Sequence, residues 1–331
     1  MHRRPGQPRT LEPRNSAVFI LSFLRRLKLS YAAYNIFQRR RLAHNVPVYQ
    51  RLGLKKRYFS PISSRDFASL PANAGLPASA PLAERLLANR AFRWLPVASQ
   101  ASLRAFEEQG FAILPGFFSS QLVDDINQEL HQLIAGRQIG VRYVNKFMFA
   151  FRKSARIRAA GEGQLRELVS LLLGHEATLF QSINFLTGSQ QRTHSDSIHM
   201  STYPLGGMAA AWVALEDITL DNGPLHYYPG SHHLPYYLNA DYQNEGSDWL
   251  IGDKDYAEYE QFIASRVAEL GLQKQVFLAR NGDVFIWHAN LMHGGELHRD
   301  PIQTRNSMVF HYFSQAHICY HEITQRPALL G

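Results

Sequence analysis

The sequence predicts a mostly β fold with flanking helices, built as an antiparallel sandwich or barrel. Three observations carry this prediction. From Ala177 onward, short apolar runs recur at residues 179–186, 209–215, 225–228, 276–278, 284–287 and 307–313. Turn-forming clusters separate them, as in Asp221-Asn222-Gly223-Pro224 and Asn281-Gly282-Asp283. Upstream of Ala177 the apolar spacing is three and four, the period of helices. Many short strands parted by turns close most readily into a sandwich or barrel.

In chain order, residues 1–57 form a basic extension. They hold fourteen Lys/Arg against one acid, Glu12, a net +13, whereas the other 274 residues hold 21 Lys/Arg against 26 Asp/Glu, a net −5. The formal +8 of the chain therefore sits in this arm. Such an arm suits a polyanion, either nucleic acid or an anionic membrane surface. The body shows no second basic patch with interleaved aromatics, which disfavours nucleic acid. An apolar run at 17–24 leads into Leu27, Tyr31 and Tyr34, which with Ile20 and Leu24 share one helical face; Leu21, Leu29 and Phe37 blur it. Four readings stay open: an interfacial helix on a membrane, a helix docked on the body, an organelle transit segment, or a secretory signal.

Residues 58–100 read as a connector, because Pro, Ala, Ser and Gly give breaker signals without a long period. The remainder, 101–331, is the folded body. A short helix at 103–108 ends at Gly110, and 111–114 follows as a strand. Ser119 or Ser120 caps a second helix, whose inner face is Leu122, Ile126, Leu130 and Leu133. A third helix spans 164–173, with Leu165, Leu168, Val169 and Leu172 inward and Gly174 ending it. Between Tyr236 and Phe277 lies a long insertion rich in Tyr, Asp and Glu, a candidate lid.

Composition narrows the function classes. A hydrophobic fraction of 45% and a charged fraction of 19% suit a globular protein. The single cysteine, Cys319, excludes an internal disulfide framework and an all-cysteine zinc site, and fits a reducing, cytoplasmic setting, peripheral to a membrane if the arm binds one. No apolar run reaches the roughly 18 residues that span a bilayer.

The chemistry centres on His194-Ser195-Asp196. In extended chain, positions i and i+2 face the same side, so one short segment offers an imidazole and a carboxylate to one ion. A second histidine from a distant strand would complete a 2-His-1-carboxylate face, which leaves positions open on iron. His293 is the candidate, and His288, five residues earlier, competes with it. A His-x-Asp pair alone is commonly a solvated loop pair.

The surroundings add weight. Residues 177–313 resemble the phytanoyl-CoA dioxygenase family of iron- and 2-oxoglutarate-dependent oxygenases. The matching pieces are His194-Ser195-Asp196, the run 211–217 from Ala211 to Asp217, Asn222-Gly223-Pro224-Leu225, Pro229-Gly230-Ser231-His232, Gly282-Asp283-Val284-Phe285, His293-Gly294 and Arg305. The stretches 106–111 and 114–117 resemble the family's opening, so the likeness covers roughly residues 100–315.

This resemblance implies a double-stranded β-helix, a cupin-like jelly roll with the metal at one mouth. It implies Fe(II) held by His194, Asp196 and His293, with 2-oxoglutarate and O2 as co-substrates. Arg305 would grip the distal carboxylate of 2-oxoglutarate, since a guanidinium fork matches a carboxylate. Ser307 would add a hydroxyl from the same strand face, and Gln181 and Trp212 would line the co-substrate pocket. The implied reaction is decarboxylation of 2-oxoglutarate to succinate coupled to hydroxylation of a small organic or lipid-like substrate. Desaturation and ring formation share these ligands, whereas related halogenases replace the carboxylate.

Bland readings stand beside these. Trp212 suits plain core as well as a pocket wall. Pro229 to His232 reads as a turn, with His232 and His233 solvated. His199 lies near the ligand pair and within reach of a substrate. Glu296, His298 and Asp300 read as a polar loop. The competing function is a non-catalytic metal-binding jelly roll, a membrane-associated scaffold or sensor that forms no succinate.

Overall fold

The computed structural model describes residues 24–72, 75–140, 146–300 and 302–331. Within them lie twelve strands: β1 (Phe111–Leu114), β2 (Lys146–Met148), β3 (Ala177–Phe185), β4 (Ser201–Tyr203), β5 (Met208–Ala214), β6 (Leu225–Tyr227), β7 (Gln275–Phe277), β8 (Val284–His288), β9 (His293–Gly295), β10 (Ser307–Ser314), β11 (Ile318–His321) and β12 (Arg326–Pro327). Each of the six expected β runs is a strand, with ends shifted by one or two residues. The fold is a jelly roll of cupin type. A six-stranded sheet, ordered β1-β8-β5-β10-β3-β2, faces a three-stranded sheet, β7-β6-β9, and a second small sheet, β12-β11-β4, extends one end. Every pairing is antiparallel.

The central strand β5 shows how the layers form. All seven of its residues are buried, because both faces of the large sheet are covered. Ala209, Ala211 and Val213 point to one side, where they pack with Val284, Ile286, Met308 and Phe310 beneath the helices. Ala210, Trp212 and Ala214 point to the other, toward Phe285, Trp287, Leu225 and Tyr227 of the inner layer. This is the two-residue alternation of a strand, with helices on one side and a cleft-forming sheet on the other.

The helices seal the outer face. Helix Ser120–Ala135 starts where the Ser119 side chain accepts the Leu122 amide, and it buries Val123, Ile126, Leu130 and Leu133. Val123 takes the seat expected of Leu122, which is only partly buried. Each such side chain contributes about 1.5–3 kcal/mol on burial. Helix Gln164–Leu173 buries Leu165, Leu168, Val169 and Leu172 and stops at Gly174, which sits at φ 75°.

Two expectations need correction. The stretch 58–100 is more than a connector: it carries helices Leu82–Ala88 and Arg90–Arg93 and the start of Val97–Arg104, and Leu82, Leu86 and Phe92 join the main core. Pro81 and Pro96 stand just before two of these helices, and each helix is one or two turns long, too short for a period to register. The helix expected at 103–108 is correspondingly split, Val97–Arg104 ending at Ala105 before a turn of helix at Phe106–Gln109.

The second correction concerns the arm. Its run 17–23 lies outside the described residues. Helix Lys28–Phe37 docks on the body, and Tyr31 is half-buried as expected. Tyr34, expected beside it, is 44% exposed, and the buried residue of this helix is Asn35. The arm is tied to the insertion by backbone bonds from Lys28 N–H to the Trp249 carbonyl and from Ile251 N–H to the Arg26 carbonyl, both 2.9 Å. Farther on, Val48, Tyr49, Ile62 and Phe67 cover β4 and β11 through Tyr203, Ile318 and Tyr320. Among the described residues, no helix is long and apolar enough to cross a membrane.

Candidate metal centre

The structure brings His194, Asp196 and His293 together. One ligand atom from each lies within 4.8 Å of the others, and all three residues are buried. Backbone pairing sets this convergence. His194 and His293 form an isolated antiparallel bridge, each N–H donating to the other's carbonyl at 2.9 Å. Their rings lie 4.5 Å apart, centroid to centroid. Ser195 is extended, as the His-x-Asp argument requires, and the chain turns into a short 3-10 helix at Asp196. Gly294 makes the approach practicable: a Cβ there would stand 2.6 Å from the His226 ring and 2.7 Å from the Gln191 carbonyl.

Hydrogen bonds fix the ring tautomers. His194 Nδ1 faces the Arg192 carbonyl at 2.8 Å, and His293 Nδ1 faces the Leu291 carbonyl at 2.9 Å. A nitrogen against a carbonyl must carry the proton, so each Nε2 keeps its lone pair. Both Nε2 atoms sit 3.8 Å from Asp196 Oδ1. The other carboxylate oxygen, Oδ2, accepts the Trp287 indole N–H at 2.8 Å. Burial, with His293 alongside, holds His194 well below the usual histidine range, so it stays neutral. Burial alone would raise the Asp196 carboxyl, yet His293, His311, His194 and the Trp287 N–H together hold it below its usual value. Two imidazoles that each turn Nε2 inward and one ionised carboxylate, each steered by a partner behind it, fit ferrous iron.

A cleft of about 540 Å³, counting its open side, runs from this cluster to Arg305. Arg305 is 3% exposed, yet no carboxylate of the described residues forms an ion pair with it. Its Nε donates to the Gly223 carbonyl at 3.1 Å and its Nη1 to Ser307 Oγ at 2.8 Å, and the guanidinium lies 4.9 Å over the Trp212 ring. Burial lowers its pKa to about 10, so the cation persists at neutral pH. The Trp212 indole N–H also lines the cleft and is buried without a hydrogen-bond partner among the described residues. A buried cation and an orphaned donor facing one cavity suit the carboxylate end of 2-oxoglutarate.

The remaining expected residues divide. Ser307 is fully buried and holds the Arg305 fork rather than lining the cleft. Gln181 does not line the cleft either; it stands opposite His311 at a bulge in the β3–β10 pairing, where Ile183 and Phe185 take the wall instead. The competitor His288 lies away from the cluster, next to His232 and Tyr236. Glu296 is no idle loop residue: it sits 2.8 Å from both His226 Nδ1 and Lys274 Nζ.

Three cleft residues were not singled out from the sequence. His311, on β10, places Nε2 3.8 Å from Asp196 Oδ2. Trp287, on β8, orients the same oxygen. Lys146, on the short β2, adds a second cation to the wall. An i+2 step from Val309 could have flagged His311; the other two depend on strand pairing alone. At the mouth, the insertion delivers helix Tyr256–Glu269, begun by an Asp255–Glu258 capping box. Tyr256 Oη lies 3.0 Å from His199 Nε2 and 3.2 Å from the Gln191 amide, so His199 faces a tyrosine of the insertion.

Comparison with known proteins agrees with this geometry. The sequence profile of the family described as Phytanoyl-CoA dioxygenase matches residues 106–305. Ectoine dioxygenase of Halomonas elongata is 23% identical over 255 residues, 70% of this chain and 76% of that protein. Phytanoyl-CoA dioxygenase domain-containing protein 1 of Danio rerio is 29% identical over 124 residues, 36% of each chain. Among solved structures, the α-ketoglutarate-dependent carbocyclase SnoK from nogalamycin biosynthesis superposes with a TM-score of 0.54 at 17% identity, covering 68% of this chain and 86% of its own. EctD from S. alaskensis, solved with 2-oxoglutarate and 5-hydroxyectoine, gives 0.51 at 21% identity, covering 67% and 78%. At these identities the structures establish the shared fold.

Proposed function

The chain belongs to the phytanoyl-CoA dioxygenase family and is an iron- and 2-oxoglutarate-dependent dioxygenase, and from that premise we propose that it hydroxylates a small organic substrate in the cleft beside the metal centre. The observation that carries this reading is the pairing, within one cleft, of a three-donor cluster with a buried arginine that no carboxylate of the described residues ion-pairs. Bound iron, with 2-oxoglutarate and O2, supplies the oxidant as 2-oxoglutarate is decarboxylated to succinate.

The chain's own residues hold and orient. His194, Asp196 and His293 are the proposed ligands, with Trp287 and two backbone carbonyls fixing their direction. Arg305 binds the distal carboxylate in two-point fashion, kept in place by Ser307 and Gly223. The Trp212 N–H supplies a further donor. Ile183, Phe185, Leu225 and Val309 line the walls and exclude water from the reacting centre. Gln191 stands at the substrate side, its amide held by Tyr256 and His199.

The test has two stages. Purified protein given Fe(II), 2-oxoglutarate and air should release succinate, and Arg305→Leu should release far less at the same 2-oxoglutarate concentration. A metabolite-extract screen for stimulated succinate release then identifies the substrate, whose product should be heavier by one oxygen atom. A product lighter by two hydrogens replaces hydroxylation with desaturation or ring closure. No succinate under any condition overturns the enzymatic reading in favour of a metal-binding scaffold.

A further inference from the structure

The docked arm turns its apolar side outward. Leu29, Ala33, Ile36 and Phe37 follow the i, i+4, i+7, i+8 rule and share one face of helix Lys28–Phe37. Leu29 is 71% exposed, Ile36 45% and Phe37 85%. The opposite face does the docking, with Tyr31 under the Arg326 guanidinium and Asn35 buried. Trp249, whose carbonyl receives the Lys28 N–H, is itself 75% exposed. Single exposed apolar residues are ordinary, but a contiguous row on one helix face, reinforced by a neighbouring tryptophan, marks an interaction surface.

Charge says what it meets. Residues 24–57 contain ten Lys/Arg and no acid. Arg25, Arg39 and Arg40 flank the apolar row, are exposed, and form no ion pair among the described residues. Large apolar side chains rimmed by unpaired cations match an anionic bilayer surface: the rings and aliphatic chains enter the acyl boundary while guanidinium groups stay with the headgroups. We propose that this face of the 28–37 helix, with Trp249, seats the protein on anionic lipid. At the start of this helix Arg26 and Lys28 are bonded to residues 249–253, which lead into helix Tyr256–Glu269, whose Tyr256 touches Gln191 of the cleft wall, so the lipid-facing surface and the cleft wall are connected.

Vesicle co-sedimentation of the full chain tests this. Phosphatidylcholine vesicles should retain little protein, and adding phosphatidylserine should raise retention about tenfold or more, given roughly fivefold per engaged cation. Phe37→Glu should lower retention about tenfold, Phe37→Trp should preserve it, and Arg39→Glu with Arg40→Glu should cut it by at least about fivefold per residue. None of these variants touches the cleft, so succinate release without substrate should be unchanged. Equal retention on neutral and anionic vesicles, or undiminished binding by Phe37→Glu, overturns the proposal. So does a solution dimer that Phe37→Glu dissolves, since the face would then belong to a second copy of the chain.

Discussion

The metal cleft and the N-terminal helix each reverse the ordinary placement of side chains, in opposite senses. In the cleft, an aspartate, five imidazole and indole rings and an arginine are withdrawn from water. On the arm, leucine, isoleucine and phenylalanine stand in water while an asparagine is buried. Both reversals cost stability in an isolated chain: buried polar groups forfeit hydration, and exposed rings order water. The cleft recovers part of its cost through internal partners, since Asp196 Oδ2, each ligand Nδ1 and the Arg305 fork face a named group. The arm has no such internal compensation among the described residues. A buried polar cluster that is nearly complete is a site awaiting a small ligand, and an uncompensated apolar face is a site awaiting a large one.

This contrast can be broken experimentally, beginning with the largest effect. Asp196→Ala or His293→Ala should bring iron retention and succinate release to background while the protein stays folded, as read by metal analysis and circular dichroism; retained iron would remove the cluster from its role. Arg305→Leu should raise the KM for 2-oxoglutarate by about 100-fold without changing iron content, because one buried partner of a charge pair is worth about 2–5 kcal/mol. Phe92→Ala, in the core beneath the helices, should cost about 3–5 kcal/mol in denaturant unfolding. Trp287→Phe keeps the ring but loses the N–H to Asp196, and iron affinity should fall about 10- to 100-fold.

Acid should loosen the body more gently. Burial holds His288 and His317 at about 3, well under the ordinary 6.5. Both are neutral in the folded chain, whereas the unfolded chain takes up protons below about 6.5. Their contribution is therefore complete above that pH and is lost as the solution is acidified, by on the order of 1 kcal/mol each at about pH 5.5. Melting temperature measured from pH 7.5 down to 5 should fall, and a flat profile would contradict their burial. The smallest effect belongs to the arm: Phe37→Ser should leave stability within about 0.5 kcal/mol, because that ring is 85% exposed. A large loss there would mean the face is covered within the monomer.

How much of this was legible follows from the range of the signals. The β runs were readable because alternation and turn chemistry are local. His194-x-Asp196 was readable because two ligands share one extended step. His311, Trp287 and Lys146 were not, since each reaches the cleft through strand pairing with a distant segment: His311 and Trp287 both stand opposite Ala210 of β5, and Lys146 stands opposite Phe185 of β3. The helices at 82–104 escaped because each is only a turn or two long. On the arm the periodicity selected a face through Leu27, Tyr31 and Tyr34, but docking chose the face of Tyr31 and Asn35, leaving Leu29, Ile36 and Phe37 outside.

The sequence by itself determined the strand-rich body, its turns, the His-x-Asp ligand pair and the concentration of positive charge in the arm. Tertiary structure alone decided which groups steer the carboxylate, that Arg305 has no ion-paired carboxylate among the described residues, and which side of the arm meets solvent. The reason is physical: periodicity and turn preference are set by neighbours along the chain, whereas convergence on a cleft depends on register between distant strands, where a shift of one residue turns every side chain to the other face.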